Sequence, residues 1–350
     1  MNRVSIKDIA AQTGVSFQTV SKVLTGKGSI SEATRERVQE AATALGYVPN
    51  ALARSLVQGA TRTLGVLASD LSDTVLAQFV VGAEREARRQ AHSVVIATVA
   101  PDGADGEHAL QTLLERRVDG ILLAAPQLEH DVRLGQLLRR RIHAVSVHHV
   151  VGGGISTVGS DQVLVGRLAT DHLAQLGRWR IGTIGEATER RVTRSRLYGY
   201  HAGLHAAGLP FNPELVENGA WEVEGGYQAT LRLLAREPAI DGLVVQNDSM
   251  AVGALSALHD LGKRVPEDCA VVGCDDLPLA ARTIPPLTTI HIPFYETGET
   301  AMRLLLQQIE RPEAAPQRVL LPIQLICRAS TVGSEQAMST RGGIARHTQS

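Results

Sequence analysis

Two pairs of neighbouring side chains in this 350-residue sequence invite a chemical reading. Asp275-Asp276 offers the two carboxyls of a general acid and base, and His148-His149 offers two imidazoles to a metal. Hydrolysis of a glycosidic bond needs carboxyls facing one bond, about 5 to 9.5 Å apart, whereas successive residues on an extended chain point to opposite faces. The same alternation separates the imidazoles, and no Cys or carboxylate at ligand spacing completes a metal set. Cys269, Cys274 and Cys327 lack a CxxC spacing, and two of them sit in apolar, strand-like stretches, so a buried packing role is expected. A dinucleotide site fails on its fingerprint. The turn after the first strand of the body reads ASDLSDT rather than GxGxxG, and Gly152-Gly153-Gly154 does not lie between a strand and a helix. The expectation is a protein that is not an enzyme and holds no cofactor and no metal.

Recognition chemistry is what remains. Gln18 and Lys22 lie four residues apart, on one helical face, with Phe17, Thr19 and Ser21 beside them. A Gln amide donates and accepts at a base edge, a Lys meets guanine or phosphate, and Phe and Thr add apolar and hydroxyl contacts in a major groove.

The elements that position this set are legible from local signals. Ser5 and Asp8 form a capping box, Ile6, Ile9 and Ala10 share a face, and Gly14 stops a first short helix. Ser16 caps a second helix with Val20, Val23 and Leu24 inward. Two helices across a tight Gly turn make a helix-turn-helix. A third helix opened by Ser31 carries Val38, Ala41, Ala42 and Leu45 before Gly46, which closes a three-helix core. The plain alternative is a polar surface helix pair; the third helix argues against it. Residues 1–60 hold seven Lys and Arg against four acids, a net charge of +3 within a chain of net charge −1. A basic head on a mildly acidic body suits phosphate binding, although +3 alone is weak support.

Residues 47–59 follow as a short helical pattern opened by Pro49-Asn50 and closed by Gly59, too short to hold alone in water. GVSFQTVSKVL, SEATRERVQEAATALGYVPN and ALARSLVQG together resemble, in order and spacing, the headpiece and hinge of the lactose-repressor family of bacterial transcription regulators. That resemblance implies a recognition helix bearing Ser16, Phe17, Gln18, Thr19, Ser21 and Lys22, with Ser31 as a further DNA contact or a cap. It also implies a hinge helix whose Asn50, Ala53 and Leu56 enter the minor groove, Leu56 as an apolar wedge between base steps.

From Thr61 the chain alternates short apolar strands, LGVLAS, SVVIATV, DGILLAA, HAVSV, RIGTIG, DGLVVQ and AVVGCD among them, with amphipathic helices such as 75–91 and 104–117. This is the pattern of parallel sheets wrapped by helices. Eight to ten strands exceed one ordinary sheet, so two α/β lobes are expected, with a break near Asp161 and ligand at the carboxyl ends of the strands.

The family resemblance extends over the body to about Ser330, through NDSMAVGAL, VVGCDD and IPPLTTI, and is nearest the lactose-binding branch. It implies a fold similar to a periplasmic sugar-binding protein whose lobes exchange strands, with crossings near 291 and 322. Arg196, Asn247 and Asp275 match family residues that hold sugar hydroxyls, Trp221 matches an aromatic that packs on the ligand, and Phe79 and Phe294 either line an apolar edge or serve as packing. The chemistry agrees, since carboxylate, amide and guanidinium satisfy hydroxyls and an indole covers C–H faces. His148 stands where the lactose-binding pattern has a carboxylate, and Ile292 replaces a polar amide, which points to a modified, larger or differently configured glycoside.

The expected division is a helix-turn-helix headpiece over 1–46, a hinge over 47–60, a sugar-binding and dimerisation domain over 61–332, and a disordered tail over 333–350 without the leucine heptads of a tetramer-forming helix. The expected function is a cytoplasmic homodimeric repressor of carbohydrate-utilisation genes. It grips double-stranded operator DNA, is released by a sugar in the interlobe cleft, and has no membrane partner; no stretch of 18 uncharged apolar residues occurs. The alternative is a corepressor-type regulator whose ligand, such as a purine, tightens operator binding.

Overall fold

A computed structural model describes residues 4–26, 28–47, 60–148, 154–186 and 190–333. The chain forms two compact units, residues 1–61 and 62–350.

In the first unit, α1 (Ile6–Thr13), α2 (Phe17–Thr25) and α3 (Glu32–Ala44) enclose a core of Ile9, Val20, Val23, Val38, Ala41 and Ala42. Asp8 accepts from the Ser5 N–H at 2.7 Å, and Ser16 Oγ accepts from the Thr19 N–H at 3.1 Å, so each helix start is satisfied locally. Gly14 and Gly26 close α1 and α2 in the left-handed conformation that glycine adopts without penalty. Ser31 stands at the start of α3, but its hydroxyl meets Thr34 Oγ1 at 2.8 Å rather than a backbone N–H.

The second unit is two-lobed. Its strands are β1 (Thr63–Ala68), β2 (Ser93–Thr98), β3 (Gly120–Ala124), β4 (His143–Ser146), β5 (Ser156–Gly159), β6 (Ile181–Glu186), β7 (Val216–Gly219), β8 (Gly242–Val245), β9 (Ala270–Asp275), β10 (Thr288–His291), β11 (Arg318–Leu320) and β12 (Gln324–Ile326). Lobe 1 is a parallel sheet in the order β11-β5-β4-β3-β1-β2, and lobe 2 has the order β12-β10-β9-β8-β6-β7, parallel except for β10 with β12. The described residues hold twelve strands, not eight to ten. The uncounted ones are three- and four-residue pieces, too short to show a period.

The helices are α4 (Thr74–Arg89), α5 (Gly106–Glu115), α6 (Val132–Arg141), α7 (Gln162–Gln175), α8 (Arg191–Ala206), α9 (Val223–Arg236), α10 (Asp248–Asp260) and α11 (Phe294–Glu310). The chain passes from lobe 1 to lobe 2 after β5, returns after β10 so that α11 packs on α4 and β3 to β5, and passes again between β11 and β12. One continuous apolar core includes Leu64 and Leu122 of lobe 1 and Val244 and Val272 of lobe 2. Among the described residues no helix is long and apolar enough to cross a membrane.

Close helix contacts aim the loops of the cleft. A Cβ at Gly166 of α7 would stand 2.0 Å from the Arg196 carbonyl oxygen, and one at Gly199 of α8 would stand 2.0 Å from that of Val163. Only paired glycines let these two backbones meet, and the contact holds the Arg196 backbone against α7. At the cleft, Asp73, Asp161 and Asn247 each follow a strand and cap the next helix, accepting from Val75, Val163 and Met250 N–H at 2.8, 3.0 and 2.7 Å.

Candidate functional site

The outer face of α2 presents Phe17, 58% exposed, with Gln18 and Lys22 also exposed and Thr19 and Ser21 partly so. Ser16 and Thr19 are engaged with each other at 2.9 Å, which leaves Phe17, Gln18 and Lys22 as the projecting set. Ser31 is exposed at the start of α3. Asn50, Ala53 and Leu56 lie outside the described residues, as do His149 and the tail from Ser334.

In the second unit a cavity of about 760 Å³ opens at the carboxyl ends of the strands, where open α/β sheets bind ligands. Phe79, His148, Arg196, Trp221, Asn247, Asp275 and Phe294, drawn from both lobes, all line it. Ile292 lines it as well.

The lobe 2 wall is a connected polar set. Arg196 is buried on α8. Its Nε donates to Gln162 Oε1 at 2.9 Å, its Nη1 to the Gln246 carbonyl, and its Nη2 lies 3.7 Å from Asp275 Oδ1. Burial pushes the Asp275 carboxyl well above the usual carboxylate range, and the Arg196 guanidinium opposes that push. Asp275 (φ 114°) and Asp276 (φ 57°) both occupy positive-φ backbone. Such residues cost about 1–3 kcal/mol each and persist where the surroundings over-determine them. The turn sends the two carboxyls to different partners, Asp276 to Arg328 at 2.6 Å and to His291 at 3.2 Å. They do not flank one bond.

Asn247 donates from Nδ2 to the Trp221 carbonyl at 3.2 Å while its Oδ1 caps α10. The Trp221 indole N–H donates to the Glu186 carboxylate, and the Arg196 guanidinium lies 5.8 Å from the indole ring. With its N–H committed, the indole offers a ligand its ring surface.

The lobe 1 wall carries an aromatic cluster beside the polar Ser69, Asp73 and Glu129. Phe79 meets Phe294 edge to face at 5.3 Å and His148 at 5.7 Å. Burial pushes the His148 imidazole down to about 4, and the positive charge of Arg190 adds to the effect, so the ring is neutral near pH 7. Among the described residues no group of three His, Cys, Asp or Glu is placed to hold a metal. Cys269 and Cys274 are buried and Cys327 partly so, all three as free thiols.

Comparison with known proteins supplies the frame for this geometry. Residues 5–50 match the family described as bacterial regulatory proteins, lacI family, and residues 170–331 match the periplasmic binding protein-like domain. The ribose operon repressor of Escherichia coli (strain K12) is 35% identical over 329 residues, covering 93% of this chain and 99% of that one. The chain belongs to the lacI family. The HTH-type transcriptional repressor PurR of Aliivibrio salmonicida is 32% identical, covering 87% of this chain and 92% of that one. A crystal structure of the Lac repressor dimer bound to operator and the anti-inducer ONPF superposes with a TM-score of 0.87 at 30% identity, covering 94% of this chain and 99% of that one. This lacI-family chain is a transcriptional repressor by kinship, and its relatives are not enzymes. Identity does not single out the lactose-binding branch, since the ribose repressor matches at 35% and the Lac repressor at 30%.

Three residues that hold the cavity's side chains or helices were not anticipated from sequence, and two of them, Gln162 and Glu129, line the cavity themselves. Gln162 holds Arg196, Glu186 holds Trp221, and the buried Glu129 accepts from the Arg191 N–H at 2.6 Å. Each acts across 34 to 62 residues of chain, so no local motif announces it.

Proposed function

We propose that the protein is a cytoplasmic, homodimeric repressor of carbohydrate-utilisation genes, released from a near-palindromic operator by a neutral glycoside or disaccharide bound between the lobes. Ser16, Phe17, Gln18, Thr19, Ser21, Lys22 and Ser31 form the DNA face, and Asn50, Ala53 and Leu56 the hinge contact. Residues 1–46, 47–60 and 61–332 act as headpiece, hinge and effector domain. A two-fold protein matches a two-fold site, and one helix-turn-helix alone binds weakly. The coupling between effector and operator is typically ~1 to 3 kcal/mol.

The observation that carries this reading is the convergence of seven side chains, suited to hydroxyls on one wall and C–H faces on the other, on a single cavity. At about 760 Å³ the cavity lies within the ~300–1,000 Å³ range of small-molecule sites. That leaves room for a disaccharide or a glycoside with a second group. A corepressor such as a purine is the second reading, favoured by Trp221, Phe79 and Phe294 as surfaces for a flat base.

The test is titration with D-ribose, D-galactose, methyl β-D-galactoside, cellobiose and hypoxanthine, following Trp221 fluorescence and binding to a duplex selected from a random pool. The expected result is that a two-unit sugar perturbs the indole and releases DNA. Hypoxanthine tightening DNA while every sugar stays silent would establish the corepressor instead. On the same duplex, Gln18→Ala should cost about ten- to a hundredfold in affinity for the selected sequence and relax choice at one position, as loss of a good base contact worth ~1–3 kcal/mol does. Unchanged selectivity would remove Gln18 from the reading set.

A further inference from the structure

Among the described residues, helix α8, which carries Arg196, has no side-chain cap from its own N-cap or first turn. Arg190 occupies the N-cap position without a side-chain cap hydrogen bond, and the first turn contains no acidic residue. The first four N–H groups of a helix have no intrahelical acceptor and require one from elsewhere. Here the acceptor comes from the other lobe: the Arg191 N–H donates to Glu129 Oε1 at 2.6 Å.

Glu129 follows the short turn Pro126–Leu128 beyond β3 and is only 4% exposed; its carboxylate also lies 3.0 Å from His130 Nε2. Glu129 and Arg191 both line the cavity, so their bond spans the cleft. A carboxylate at a helix N-terminus is favoured by the helix dipole and by a charge-assisted hydrogen bond. Such a group usually comes from the helix's own first turn, yet this one is 62 residues away. The Gly166 contact presses α8 against lobe 2 at the Arg196 backbone, and Glu129 holds its first turn from lobe 1.

We propose that Glu129 is a positioning residue for the effector: from the opposite lobe it seats the first turn of α8 and so sets the placement of the Arg196 guanidinium beside Asp275. A movement that draws Glu129 away from the start of α8 stretches or breaks this bond, so such a movement and the placement of Arg196 are coupled. The inference rests on the reading of Arg196 as a sugar contact.

The test uses the full chain with Trp179→Phe. The chain has two tryptophans, and this change of the 63%-exposed one leaves Trp221 as the only indole. Cellobiose, methyl β-D-galactoside and D-ribose are the probes, and thermal midpoints of the sugar-free proteins are recorded beside the affinities. Glu129→Ala is expected to weaken the tightest of the three about tenfold, and Glu129→Gln, which keeps the acceptor, less than threefold, with midpoints within a few degrees of the parent. In an Arg196→Lys background, Glu129→Ala should add less than threefold, because residues acting through one another are not additive. Parent-like binding by Glu129→Ala overturns the proposal, as does a full further tenfold loss on top of Arg196→Lys. Equal losses in both Glu129 variants with matching drops in midpoint report a structural role and overturn it too. If none of the three sugars binds the parent, the sugar reading fails and takes this inference with it; a parent that binds beside an unaffected Glu129→Ala removes this inference alone.

Discussion

The two walls of the cleft are built on different principles. On the lobe 2 wall the anticipated polar side chains already have protein partners: Arg196 with Gln162, Gln246 and Asp275, Asn247 with Met250 and Trp221, and Trp221 with Glu186. On the lobe 1 wall Phe79 and Phe294 meet edge to face, and the buried Nε2 of His148 finds no hydrogen-bond partner among the described residues. Groups held by their own partners lose little freedom on meeting a ligand, so under the proposed function lobe 2 is the wall that would fix orientation. An aromatic wall has fewer directional demands, and it is where ligands of different outline can be accommodated.

Breaking the ordered wall should have the largest effect. Arg196→Ala is expected to reduce sugar affinity at least a hundredfold, about 2.8 kcal/mol, while operator affinity without sugar is kept. It also leaves Asp275 buried without its guanidinium, a situation that typically costs ~3–5 kcal/mol of stability. The double variant Arg196→Ala with Asp275→Asn removes that unpaired charge, so its thermal midpoint should recover while sugar binding stays lost. Calorimetric titration and a melting curve separate the two effects, and a double variant that regains sugar binding would show that Arg196 serves only Asp275.

The same contrast explains what could be read from the chain. In the headpiece each signal acts over three or four residues: Asp8 reaches Ser5, Ser16 reaches Thr19, and Gly14 closes α1. Such signals are visible in a sequence because cause and effect lie within one turn. The parallel strands of the lobes were legible for a related reason, as short apolar runs buried on both faces, β9 throughout its length. The cavity is the opposite case. Its seven anticipated residues run from Phe79 to Phe294 and meet only because the chain passes between lobes after β5, β10 and β11. Resemblance to the family, rather than spacing, brought them together on paper. Glu186, Gln162 and Glu129 are invisible even to that comparison, because each is defined by what it holds, and a Glu at the end of a strand carries no mark of the indole it accepts from.

A smaller effect is expected one step behind the ordered wall. Glu186→Leu removes the acceptor of the Trp221 N–H, whereas Glu186→Gln keeps one. An orphaned buried donor costs ~1–3 kcal/mol, and the indole escapes that cost by turning. In the Trp179→Phe background the leucine variant should shift the Trp221 emission and weaken sugar binding three- to tenfold, with the glutamine variant close to the parent in both. Matching spectra for leucine and parent would show that packing alone holds the ring.

The smallest change in ligand affinity is expected at His148, and there the decisive variable is pH. Its imidazole is pushed down to about 4 in the folded chain, against 6.5 as the ordinary value. With the folded value the lower, the unfolded chain binds the proton first. The stability tied to the neutral ring is therefore complete above pH 6.5 and is lost as pH falls toward 4. His148→Leu cannot titrate. Its thermal midpoint relative to the parent should be level from pH 7 to 8 and rise steadily between pH 6.5 and 4, with a ceiling of about 3 kcal/mol from the size of the shift. Because Nε2 has no partner to lose among the described residues, the variant should be at least as stable as the parent even at pH 7, while sugar affinity falls only two- to fivefold. A level difference across the whole range would mean that His148 is not buried as a neutral ring. A hundredfold loss of sugar affinity would mean that it is a directional contact equal to Arg196, and the distinction between an orienting wall and a tolerant one would then have to be abandoned.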